Sequence, residues 1–215
     1  MIDDIFIEAF KTVLIEAWYL PLGFLLLGVF KLLKPKIKGA MGEYSLRHIL
    51  KKLPKNNYQL MNDVLIETSS GTSQIDHIVI SQFGVFIIEN KNYKGWIFGD
   101  RYSKTWTQNI YGHKTHFQNP IHQNYGHIKR LQELDPVLSN VDFISIIAFS
   151  GEATLKTNIE NVTYYSKVIK LIKSYTEPIY NKSEIDNIYK VIELREKSDH
   201  KSRKKHIKSI KYKNK

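Results

Sequence analysis

The stretch Gln74-Ile-Asp-His-Ile-Val-Ile-Ser81, followed by Gly84-Val-Phe-Ile-Ile-Glu-Asn-Lys-Asn92, reads as two strands joined by a turn at Gln82-Phe-Gly84. Side chains alternate along a strand, so Glu89 and Lys91 share one face and Asn90 takes the other. The run Val85-Phe-Ile-Ile88 is uninterrupted apolar sequence, the pattern of a strand buried on both faces. Charges that close such a strand mark the mouth of a site rather than a solvated surface. Asp76, Glu89 and Lys91 form an ordered set, D-x(12)-E-x-K, across the two strands. Two carboxylates suit a hard cation through oxygen. A cation so held offsets phosphate charge and acidifies a water. The lysine then orients or deprotonates that water, or stabilises developing charge.

Outward from this hairpin, Tyr58 to Glu67 alternates well enough for a preceding strand, and Ser69-Ser-Gly-Thr72 is a turn. Before it, Ala40 to Leu53 has Tyr44, Leu46, Ile49, Leu50 and Leu53 at helical spacing, with Pro54 as its stop. After it, Tyr93 to Asp100 and Lys104 to Ile110 suggest a small extra hairpin. Asn119-Pro120 then opens a helix, as N-cap and first residue, with Ile121, Tyr125, Ile128 and Leu131 expected on its buried face. Val141 to Phe149 is a further strand. Ser183 to Leu194 reads as a helix entered through Ser183 and Asp186. The order helix, three strands, helix, strand predicts an α/β class fold, αβββαβ, on a mixed central sheet.

The 215 residues suffice for one catalytic-sized domain with appendages. Cysteine is absent, which excludes disulfides and thiolate metal sites. Residues 195–215 carry +8 of the formal +11, so the remainder is only +3 and the tail makes the chain basic. That tail is compatible with a merely solvated segment, with phosphate binding that weakens in salt, or with anionic lipid. At the other end, Thr12 to Leu33 holds only Glu16 and Lys31 as charges, and a spanning helix needs ~20 mainly apolar residues. Trp18 and Tyr19 suit a membrane interface. Lys31, Lys34, Lys36 and Lys38 then predict a single-pass anchor in the cell membrane with the following domain cytoplasmic. The competing reading is an amphipathic or core helix kinked at Pro21. The expected organisation is residues 1–38 as anchor and linker, with Pro35 to Gly39 the linker stretch, 39–151 as the main domain, 152–194 as a helical extension and 195–215 as a basic tail.

Gly42-Glu43, Asn62-Asp63, Gln74-Ile-Asp-His-Ile-Val-Ile80, Gly84 to Tyr93, Gly95-Trp96, Trp106-Thr-Gln108 and Asn119-Pro-Ile-His-Gln-Asn124 occur together. As a set they resemble the NERD (nuclease-related) domain family, over about Gly39 to Gly151. That family is assigned to the PD-(D/E)xK nuclease superfamily. The resemblance implies a restriction-endonuclease-like αβββαβ core and a Mg²⁺-dependent site, with Mn²⁺ as a substitute. It maps Asp76 onto the metal-binding aspartate, Glu89 and Lys91 onto the (D/E)xK pair, and Glu43 onto a third, helix-borne acid that ligates the metal. Ile75 stands where the family usually has proline, a change without chemical consequence.

Other residues carry two readings. Gln74, on the face of Asp76 if the strand is regular, either contributes its carbonyl to the site or makes a cross-strand polar pair. His77 would then point away and be structural. Gln123 and His127, four apart on one helix face, partly match a Gln-x-x-x-Tyr helix found beside such sites, and both are candidates to touch phosphate or the nucleophilic water. His113, His116 and His122 lack the ligand pattern of a zinc site. Trp96, Tyr102, Trp106 and Tyr111 either pack or stack on unpaired bases. The expected function is hydrolysis of nucleic-acid phosphodiesters, DNA ahead of RNA, by a membrane-anchored protein. A homodimer is the natural state if both strands of a duplex are cut. The alternative is a non-catalytic nucleic-acid-binding or membrane-tethered scaffold that keeps the nuclease fold.

Overall fold

The computed structural model describes residues 7–8, 11–12, 19–69 and 71–197, with the side chains of 21 and 30–44 also outside the description. The chain divides into two compact units, Met1–Met41 and Gly42–Lys215. In the first, helix α1 (Tyr19–Leu50) begins, and it continues into the second. The linker expected at 35–39 is therefore helical, and the helix ends at Leu50 rather than Leu53. Among the described residues no helix is long and apolar enough to cross a membrane. The expected spanning segment is not shown. Lys31, Lys34 and Lys36 follow the apolar part of α1 on its C-terminal side. Residues 13–18 of that segment and the basic tail from 198 onward lie outside the described residues.

The second unit is built on a five-stranded mixed sheet. Strands β1 (Tyr58–Thr68), β2 (Gly71–Ser81) and β3 (Gly84–Lys91) are antiparallel neighbours. β3 then pairs in parallel with β7 (Phe143–Phe149), and β7 with β9 (Val162–Tyr164). The sheet order is β1-β2-β3-β7-β9. The parallel step from β3 to β7 needs a crossover, and helix α2 (Pro120–Leu134) supplies most of it.

Both faces of this sheet are covered. On one, Ile75, Ile78, Ile80, Val85 and Ile87 pack against Leu131 of α2, Leu138 of the short α3 (Pro136–Ser139) and Ile185, Ile188 and Ile192 of α5 (Lys182–Arg195). On the other, Val79, Phe86, Ile88 and Ile146 meet Leu46 and Leu50 of α1 and Val168 and Ile172 of α4 (Tyr165–Ile172). Val85, Phe86, Ile87 and Ile88 are fully buried, the two-faced burial their unbroken apolar run predicts. Residues 152–194 are thus part of the same core, supplying β9, α4 and α5. Helix α5 starts earlier than expected. Asn181 caps it, accepting from Glu184 N while the Glu184 carboxylate accepts from Asn181 N, a reciprocal capping box. Asp186 instead accepts from Gln59 and Lys182.

The expected extra hairpin is larger than the sequence suggests. β4 (Gly95–Phe98), β5 (Thr105–Ile110), β6 (His113–Gln118) and β8 (Ala153–Leu155) form a second sheet in the order β6-β5-β4-β8. Its inner face packs Ile97, Trp106, Phe117 and Ala153 against Ile147 and Phe149 at the end of β7.

Candidate active site

The site forms where β3 ends and α2 begins. Asn119 caps α2 by accepting from Ile121 N, and its amide donates to Ser103 O at 2.7 Å and Asp100 O at 3.1 Å. One turn on, Asn124 donates to Ile87 O and Ser145 Oγ, both at 2.8 Å. These two buried amides fix the register of α2 against β3 and β7. The buried residues of α2 are Pro120, Asn124, His127 and Leu131, whereas Tyr125 is 59% exposed and Ile121 and Ile128 are half-buried. The expected apolar stripe is displaced because two buried positions are polar and are satisfied, at least in part, by the site they help build.

Glu89 lies at the centre, 3% exposed. Its Oε1 accepts from Lys91 Nζ at 2.7 Å and from Gln123 Nε2 at 2.7 Å. Lys91 Nζ also donates to Gln123 Oε1 at 2.9 Å, which closes a three-membered ring of contacts. His127 Nε2 lies 3.2 Å from Glu89 Oε2, within ion-pair reach but off the direction of a good hydrogen bond. Behind it, His127 Nδ1 meets Ser73 Oγ of β2 at 2.5 Å. Burial pushes the Glu89 carboxyl up, but the His127 contact and the Lys91 charge outweigh it and hold the group below the usual carboxylate range. Glu89 is therefore a buried carboxylate that stays ionised.

Asp76 is reached through an irregularity in β2. Asp63 on β1 has φ 57°, and the ladder pairs Asn62 with His77 and Val64 with Ile75 but omits Asp63 and Asp76. Ile75 shares a core with Ile78 and Ile80, which strict alternation would forbid. The slip falls at Asp76 and His77. β2 also parts from β3 here, since their pairing ends at His77 and Ile88. Asp76 Oδ2 then accepts from Asn90 N at 2.8 Å, one residue beyond Glu89. On the opposite face Tyr165 Oη donates to Asn90 Oδ1.

The structure thus brings Glu89, Lys91 and Gln123 into direct contact and ties Asp76 to the same strand end. It does not bring Gln74 to them: Gln74 Nε2 donates to Asp63 Oδ1 at 2.5 Å. The reason is the same slip, which breaks the regular alternation that would align Gln74 with the site. The Glu43 side chain lies outside the described residues. His77 is buried, with Nδ1 2.8 Å from Asn62 Oδ1, and burial first, then the Arg47 charge, pushes it down to about 4. Ser73 and Asn124 were given no role by sequence reasoning. The only available signal was the position of Asn124 beside Gln123.

As a cation site the donor types fit, since Asp76 and Glu89 are carboxylates and Glu89 is ionised. Among the described residues no group of three or more His, Asp or Glu is placed to hold a metal ion. Glu89 Oε1 already accepts from two protein donors, and His127 Nε2 lies 3.2 Å from Oε2. Cavities of about 490 Å³, between Arg47 and Tyr189, and about 520 Å³, beside Trp96, include neither Glu89 nor Lys91.

The nuclease-related domain family matches residues 38–150, which span β1 to β7 and every one of these contacts except those of Tyr165. The chain is a NERD-family protein. The family's setting is the PD-(D/E)xK nuclease superfamily, so membership indicates a nuclease-like or nucleic-acid-related function with general dependence on a divalent metal. The NERD chain is also similar to an uncharacterized protein of Bacillus anthracis, 40% identical over 182 residues that cover 82% of this chain and 85% of that one. No solved structure matches it.

Proposed function

We propose that this NERD protein hydrolyses nucleic-acid phosphodiester bonds with Asp76, Glu89 and Lys91 as its working residues. The observation that carries the reading is the Lys91–Glu89–Gln123 ring, an ionised acid, a lysine and an amide held together by α2 at the open end of β3. Asp76 and Glu89, with Glu43 as the third acid, would hold Mg²⁺ or, in its place, Mn²⁺. Such an ion, when bound, supplies positive charge against phosphate and acidifies a water. To hold such an ion, Glu89 would have to turn an oxygen to it in place of one of its present contacts with Lys91, Gln123 or His127. Lys91 keeps Gln123 Oε1 as an anchor and directs its remaining protons at phosphate or at the attacking water. DNA is the preferred substrate, and a second copy would serve a double-strand cut.

The experiment is a cleavage assay of the full chain on single- and double-stranded DNA and RNA, with Mg²⁺, Mn²⁺ or EDTA. Cutting with either ion and none in EDTA supports the reading. Clean protein that cuts nothing in any condition contradicts it. The engagement of both Glu89 oxygens favours one second reading, a nuclease fold kept for binding alone. Salt-sensitive binding without cutting would select it.

Membrane attachment in the cytoplasmic orientation is part of the proposal. It is supported by the exposure of Phe24 (74%), Leu25 (63%), Leu26 (59%) and Leu27 (65%), an apolar surface that water does not favour. Flotation with anionic vesicles tests it, and a protein that stays at the bottom of the gradient argues against it.

A further inference from the structure

The second sheet has an outer face whose composition the catalytic reading leaves unexplained. Side chains opposite one another across a sheet share a face. Trp96 pairs with Thr154 and with Asn109, and Asn109 with Lys114, so one row crosses all four strands. Phe98, Thr107 and His116 form the next row. The alternate residues Ile97 and Trp106 are fully buried on the inner face. Trp96 is 51% exposed and Phe98 38% exposed, their rings 6.3 Å apart and edge-to-face. Lys156, just past β8, sets its Nζ 4.9 Å from the Trp96 ring centroid. The two rows contain no acidic residue.

A Trp and a Phe left half in water, bordered by Lys156, Lys114 and His116, suit a polyanion that also presents flat π-faces. We propose that this face is a stacking platform for single-stranded nucleic acid. Unpaired bases can lie on Trp96 and Phe98 while lysines follow the phosphates. Bases inside a duplex cannot, because their faces are already stacked. A cleft of about 520 Å³ continues the surface from Trp96 past Lys94 to Tyr111, with Glu152 the acid on its rim. The proposal deepens the nuclease reading by naming the strandedness of its ligand. It rests on that reading only for the choice of nucleic acid.

The test is fluorescence anisotropy of labelled oligo(dT) and oligo(rU), and of a duplex, titrated with the full chain in EDTA. Trp96→Ala and Phe98→Ala are compared with wild type, and Leu194→Ala, an exposed apolar residue of α5 off the sheet, is the control. Each platform variant should weaken single-strand binding by roughly 5- to 150-fold, the range of one lost base stack. Leu194→Ala should bind as wild type does, and the duplex should bind more weakly than either single strand. Unchanged affinity in both platform variants overturns the proposal. So does a Trp96→Ala protein that turns from dimer to monomer while its oligonucleotide affinity stays the same, since the face would then be a self-association surface. Because EDTA removes turnover, the two readings can fail separately. Stacking without cleavage leaves the platform standing and ends the catalytic proposal, and cleavage with unmoved affinities does the reverse.

Discussion

Gln123 links two residues of the proposed site. Its Nε2 donates to Glu89 and its Oε1 accepts from Lys91, so one amide braces the direct contact between acid and lysine. Gln123→Ala should retain the fold and lose on the order of 10²-fold in single-turnover rate, the usual cost of a misplaced catalytic group. A wild-type rate would remove Gln123 from the site. His77 makes a different prediction. Its folded pKa is depressed to about 4 against 6.5 for the free group, so between these values the unfolded chain binds the extra proton. Stability therefore rises with pH in that window and falls as pH drops from 6.5 to 4, by about 3 kcal/mol in all. Glu89 acts lower down: its depressed folded pKa contributes stability above 4.5 that is lost as pH falls through the folded value. Urea denaturation between pH 7 and 4 should show a steep slope for wild type and a flatter one for His77→Gln. Parallel slopes would mean that His77 does not carry the effect.

At the scale of elements, the joint between the two sheets is the sensitive point. Gly95 opens β4 with φ 74°, and a Cβ there would meet Asn109 O at 2.5 Å. Gly95→Ala should cost at least about 2 kcal/mol, combining left-handed strain with a backbone clash. Thermal denaturation checks it, and an unshifted midpoint would contradict the described turn. The same scale shows what was legible in the sequence. The core strands were, because Val85 to Ile88 could only be buried on both faces and Asn119-Pro120 could only start a helix. The buried side of α2 was not. Asn124 and His127 look like surface residues until β3, β7 and Ser73 are in place to bond them. Of the two readings of Gln74, its contact with Asp63 on the neighbouring strand matches the cross-strand polar pair, and the left-handed Asp63 beside it leaves no mark in the sequence of β2.

Across the whole molecule, the NERD match covers the segment that carries Asp76, Glu89 and Lys91, and the fold shows one helix residue, Gln123, in contact with both Glu89 and Lys91. The small sheet and the α4–α5 extension were underestimated because short strands such as β8 and β9 have almost no periodicity to read. The expected spanning helix is not shown among the described residues, and residues 13–18 of its stretch lie outside them. The central claim is that the Asp76 and Glu89–Lys91 cluster performs hydrolysis. The most direct measurement is the single-turnover cleavage rate of a labelled oligonucleotide by wild type, Asp76→Asn and Lys91→Met in Mg²⁺, with circular dichroism to establish folding. The account predicts cutting by wild type alone, from three equally folded proteins. Either variant cutting at the wild-type rate would contradict it.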